Sequence, residues 1–110
     1  MHRKASVYKH NVLAGHVWEH DSGYAFKYEA AYLNNNETTA ISNTLPLKKE
    51  TFESKILFPF FDGLIPEGWL LEIAEQNWKL NEKDRMGLLL ACCKDCIGAV
   101  SITQTNNEEL

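Results

Sequence analysis

The chain has 110 residues, 45% of them hydrophobic and 24% charged, with 11 Lys and Arg against 15 Asp and Glu and a formal net charge of −4. These figures predict one globular domain over residues 1–110 and exclude a strongly basic nucleic-acid binder, because such binding rests on Lys and Arg neutralising phosphates. No apolar run approaches the ~20 residues that span a bilayer, and the opening Met1-His2-Arg3-Lys4-Ala5-Ser6-Val7-Tyr8 lacks the apolar stretch of a signal peptide.

In chain order, Val7, Tyr8, Val12, Leu13, Val17 and Trp18 fall in short β-prone runs, with His10-Asn11 as the expected first turn. Asp21-Ser22-Gly23 then breaks the chain, and Tyr24, Phe26 and Tyr28 alternate with Ala25 and Lys27 at the period of a half-buried strand. A small antiparallel meander follows from this pattern. Asn34-Asn35-Asn36 reads as a loop, Thr39 to Leu47 as extended chain ending at the Leu45-Pro46 step, and Lys48 to Ser54 as solvated. Ile56-Leu57-Phe58-Pro59-Phe60-Phe61 is a dense apolar run closed by Asp62-Gly63, after which Pro66-Glu67-Gly68 is predicted to open a helix to about Trp78. A second helix is expected from near Asn81 to about Cys93, with Asp84 three residues on resembling a capping box. Ile97 to Thr103 reads as a final strand, and the polar residues from about 104 to 110 as a frayed tail. The expected fold class is therefore α+β: a small antiparallel sheet with two helices in the C-terminal half.

On a helical wheel, Leu70, Leu71, Ala74 and Trp78 share an arc of about 100°, the core face, while Trp69 falls on the polar side with Glu72, Gln76 and Lys79. Two readings are open for Trp69. It folds under the Phe58 to Leu64 segment, or it stands exposed and anchors a partner; the second is favoured because Trp is enriched among interface hot spots.

Catalytic and metal chemistry find little support. Cys93-Lys94-Asp95-Cys96 has zinc-ligand spacing, but a structural zinc needs four ligands and there is no second Cys pair. Cys92, Cys93 and Cys96 are an odd number crowded together, which fits reduced thiols in a reducing compartment and a cytoplasmic protein. The His residues lie far in sequence from the Cys residues, and the six glycines form no phosphate cradle. No catalytic residue, metal site or cofactor is expected.

The run Phe60-Phe61-Asp62-Gly63-Leu64-Ile65-Pro66-Glu67-Gly68, then Asp84-Arg85-Met86-Gly87-Leu88-Leu89, then Asp95-Cys96-Ile97-Gly98-Ala99-Val100, resembles the N-terminal subdomain of HipA-type serine/threonine kinases. Ala14-Gly15-His16-Val17, Tyr24-Ala25-Phe26-Lys27-Tyr28 and Leu45-Pro46-Leu47 are similar to further segments of that subdomain, so the likeness covers essentially the whole chain. Cys93 departs from the family, which usually has glycine there, and none of the family's ATP-binding, catalytic-loop or metal-binding motifs occurs in these residues.

A separately encoded copy of the subdomain resembles the HipS-type antitoxins of tripartite HipBST systems. That resemblance implies a non-enzymatic protein that neutralises a HipT-type serine/threonine kinase, in a ternary complex with a HipB-type DNA-binding protein. The kinase-facing residues it suggests are Phe61, Asp62, Pro66, Glu67, Gly68, Trp69 and Gln76, with the Pro66 to Trp69 helix start at the kinase cleft. The competing expectations are a lobe that completes the kinase in trans and an adaptor that bridges it to the DNA-binding protein.

Overall fold

The computed structural model describes residues 3–65, 84–92 and 100–105. Strand β1 (Lys4–Lys9) turns into β2 (Val12–His20), and β2 into β3 (Gly23–Tyr28). His10 and Asn11 both have positive φ, 51° and 65°, the geometry of a two-residue hairpin loop whose twist matches its strands. After β3 come a one-turn helix α1 (Ala30–Leu33), the short strand β4 (Phe52–Ser54), a second single turn α2 (Pro59–Asp62), the helix α3 (Arg85–Cys92) and the strand β5 (Val100–Gln104). The strands form one antiparallel sheet in the order β4-β3-β2-β1-β5, so the last strand lies against the first, with Val7 opposite Ile102.

Register decides which side chains are buried. Ala5, Val17, Phe26 and Phe52 lie in one cross-strand row, and Val7, Gly15 and Tyr28 in the next. This face carries the core, where Ile41, Leu45, Leu57, Phe58, Phe61 and Ile65 join Met86, Leu88 and Leu89 of α3. The Phe26 ring centre lies 4.9 Å from that of Tyr28 and 5.6 Å from that of Phe61, within the range of favourable aromatic pairs. The register shift between Val7 and Tyr8 leaves Ala14 as an extra residue in β2, and its carbonyl accepts the Glu29 N–H at 2.8 Å. Such a bulge bends its strand, and both Ala14 and Gly15 are buried beside it. Strand alternation sends Lys4, Ser6, His16, Trp18, Ala25 and Lys27 to the opposite face.

The meander and the α+β class agree with the expectation, and three local readings are corrected. Lys48 to Ser54 is not wholly solvated: its last three residues form β4, with Phe52 opposite Phe26. Thr39 to Leu47 holds no strand beyond the bridge of Ser42 with Leu45, because the buried Tyr28 hydroxyl donates to the Leu45 carbonyl and accepts the Ile41 N–H, folding the segment round one ring. The apolar run at Ile56 to Phe61 contains α2, opened by Pro59, whose missing N–H suits a first helical turn. Ala30 to Leu33 forms α1, an element with no counterpart among the expectations. The C-terminal helix begins at Arg85 instead of near Asn81, with Asp84 as its cap: Asp84 Oδ1 accepts the Gly87 N–H at 3.1 Å and the Asp84 carbonyl accepts the Leu88 N–H at 3.0 Å. The expected helix from Pro66 to Trp78 and the start of the final strand at Ile97 lie outside the described residues; the strand is seen from Val100.

Gly15 is required by close strand apposition, since a Cβ there would lie 2.3 Å from the Lys27 carbonyl oxygen. Gly15→Ala is expected to destabilise the fold by about 1–3 kcal/mol, the usual cost of overpacking. Urea unfolding would read this as a lower midpoint at unchanged slope, and an unchanged midpoint would contradict the close packing of β2 on β3.

Candidate docking site

The residues that carry the sequence motifs come together where α2 meets α3. Phe61 is fully buried, its ring 5.2 Å from Phe60 and 6.1 Å from Phe58. As a kinase-facing residue it is therefore corrected: its side chain supports the core and offers no surface. Asp62, the next residue, remains at the surface, where Arg85 Nε donates to its Oδ1 at 2.5 Å. That ion pair joins the end of α2 to the start of α3. Pro66, Glu67, Gly68, Trp69 and Gln76 lie outside the described residues, as do Cys93 and Cys96.

A second set of charges joins Asp84 to two residues that the sequence patterns do not single out, Arg3 and Glu19. The Arg3 guanidinium sits between two carboxylates: Nε and Nη2 donate to Glu19 Oε1 and Oε2 at 2.6 and 3.1 Å, and Nη1 and Nη2 donate to Asp84 Oδ2 and Oδ1 at 2.9 and 2.7 Å. The Arg3 N–H also donates to Glu19 Oε1 at 2.9 Å. Fork-to-fork pairing of this kind fixes orientation as well as distance. The Arg3 hydrogen bonds, with the Gly87 N–H adding to that on Asp84, hold both carboxyls below their ordinary range, and the same bonds raise the guanidinium pKa. Arg3 lies 81 residues from Asp84, and no spacing rule in a single sequence reaches that far.

Gly87 completes the arrangement. A Cβ on it would stand 2.4 Å from Asp84 Oδ2 and 3.1 Å from Arg3 Nη1, so the glycine in Asp84-Arg85-Met86-Gly87 leaves room for both the cap and its clamp. The two described residues that bracket positions 66–83 are thus anchored. Ile65 is buried and donates its N–H to the Asp62 carbonyl at 3.2 Å, and Asp84 is held by Arg3.

Among the described residues no three His, Cys, Asp or Glu side chains group as metal ligands, and no helix is long and apolar enough to cross a membrane. The arrangement is a set of ion pairs that brace the ends of two helices, and comparison with known proteins gives the fold a class. The family model of the HipA N-terminal domain matches residues 5–103. A solved structure of the N-terminal domain of HipA toxin superimposes with a TM-score of 0.74 at 27% identity, covering 96% of this chain and 94% of that one. The chain belongs to the HipA N-terminal domain family. It is also 29% identical over 102 residues to a Haemophilus influenzae protein of uncharacterized role, covering 93% of this chain and 92% of that protein. To the Sinorhizobium fredii protein named Putative kinase Y4mE it is 28% identical over 85 residues, which are 77% of this chain and 20% of that protein.

Arg3→Met keeps the aliphatic stem and removes the clamp. With the Arg3 and Asp84 side chains 31% and 35% exposed, solvent screens the pairs, and the expected loss is about 1–2 kcal/mol, below the 3–5 typical of a fully buried pair. Because the Glu19 and Asp84 pKa values are depressed on folding, their contribution is present above the unfolded carboxyl range near pH 4 and disappears as pH falls through the folded values. Denaturation from pH 7 to 2 should therefore show a smaller acid-dependent loss in Arg3→Met than in the wild type, and equal acid dependence would remove the clamp from the stability account.

Proposed function

We propose that this chain is a HipS-type antitoxin, a non-enzymatic protein that binds a HipT-type serine/threonine kinase and neutralises it. Family membership over residues 5–103 is the observation that carries this reading. The same domain makes up about a fifth of a relative named as a kinase and nearly the whole of a small relative, so it occurs both joined to a larger chain and by itself. A domain that packs against a kinase within one chain retains a docking surface when it is encoded separately.

The Pro66 to Trp69 segment enters or covers the kinase cleft with Trp69 as its anchor, aided by Glu67, Gly68 and Gln76, while Asp62 forms the rim. The ion pairs at Asp62 and Asp84, on either side of positions 66–83, support this reading because they reduce the ordering cost of binding. In the cell the complex includes a HipB-type DNA-binding protein, and it resides in the cytoplasm.

A second reading is favoured by the relative named as a kinase: the domain completes the kinase in trans and supports its activity. The two differ in sign. Wild-type protein added to the purified kinase should lower autophosphorylation and restore growth of cells expressing the kinase, whereas a completing lobe would raise phosphorylation. Trp69→Ala is expected to weaken binding by about 2 kcal/mol or more, roughly thirtyfold. Full neutralisation by a folded Trp69→Ala protein would exclude Trp69 as the anchor.

A further inference from the structure

The sheet has two faces, and the described helices use one of them. Tyr32 of α1, Phe61 of α2 and Met86, Leu88 and Leu89 of α3 all belong to the core cluster on the face of Val17 and Phe26. On the other face Trp18 stands half-buried on the central strand β2, opposite Lys4 on one side and the buried Ala25 on the other. The Lys4 Nζ lies 5.7 Å from the Trp18 ring centre. Lys27 and His16 are paired in the adjacent row, and the depression that these side chains line has a volume of about 390 Å³.

Charge identifies the occupant. Neither Lys4 nor Lys27 holds a carboxylate among the described residues. The acidic group of the depression, Glu29, is engaged by His16 Nδ1 at 3.1 Å. Glu53, at the end of the Trp18 row, is 71% exposed and faces His20. Two ammonium groups with no carboxylate partner among the described residues, one of them over the Trp18 ring, suit carboxylates flanking an apolar side chain. Size points the same way. Lys4, Trp18 and Lys27 lie on three adjacent strands, so two inter-strand steps of about 4.8 Å set the width of the patch. A patch of that width accommodates one extended peptide segment.

We infer that this sheet face, which none of the described helices covers, is a second docking surface, separate from the Pro66 to Trp69 segment, and that it takes an acidic segment of a partner protein, with an apolar side chain on Trp18 and carboxylates at Lys4 and Lys27. Kinase neutralisation does not depend on it.

The test is a titration of the full, isotope-labelled chain, followed by backbone amide shifts, with a synthetic peptide of Glu and Asp residues flanking a Leu-Phe pair. Saturable shifts confined to residues 4–8, 13–18 and 25–28 are expected. Lys27→Glu, at an exposed position, and Lys4→Glu/Lys27→Glu should each weaken binding, the double variant at least tenfold, while both still neutralise the kinase. A matched basic peptide and an oligo-dT strand should cause no shifts on this face. The proposal is overturned if the acidic peptide causes no saturable shift or shifts a different surface, if charge reversal leaves its affinity unchanged, or if oligo-dT binds the face more tightly. It is equally overturned if these amides are already covered by another part of the chain or by self-association.

Discussion

The position of Arg3 between Glu19 and Asp84 is the constraint on which the rest of the structure turns. Without the guanidinium, two carboxylates would face each other at the end of the sheet, each repelling the charged form of the other. With it, β2 and the cap of α3 are bound to the residue just before β1. Orientation matters as much as attraction. Asp84 uses the same Oδ1 to accept from Arg3 and from the Gly87 N–H, so the clamp sets the cap, and the cap sets the direction in which Met86, Leu88 and Leu89 enter the core. Asp62 and Arg85 add a second brace one residue along. Positions 66–83 are thereby bracketed by two fixed points.

Legibility in the sequence followed the range of the interactions. The His10-Asn11 turn and the alternation of Tyr24, Phe26 and Tyr28 are local patterns, and the meander they imply is present. Phe52 to Ser54 was missed because three residues with one apolar side chain are too short for alternation to register; it is an edge strand by virtue of Phe26 beside it. Tyr28 shows the same limit from the other side, since its hydroxyl folds the segment of Ile41 and Leu45 through contacts more than a dozen residues away. At the candidate site Asp62 and Asp84 were visible as motif members, but their partners were not. Phe61 was legible as apolar and misplaced as a surface residue, because an apolar run alone does not say which member points inward. The role of Arg3 follows from tertiary geometry alone.

Membership of the HipA N-terminal domain family at 27–29% identity is consistent with how this core is built. Cores tolerate exchange of apolar side chains where volume and pattern are kept, whereas Gly15 and Gly87 stand where any Cβ would strike backbone or the clamp. The two kinds of position carry different freedom. Much of the sheet can drift in sequence, and the places where chain segments approach each other closely cannot.

The pairing of β5 with β1 has its own consequence for how the molecule is made. Ala5 waits for Gln104, and Val7 for Ile102, so during translation the outer edge of β1 stays unpaired until almost a hundred further residues have been synthesised. Contacts of such sequence separation reward the chain only after a long loop has been closed. Until then the nascent chain presents a bare strand edge with Val7 beside it, the kind of template to which other unfinished strands add. Arrival of β5 ends that exposure, and it makes the last strand the one that commits the whole sheet.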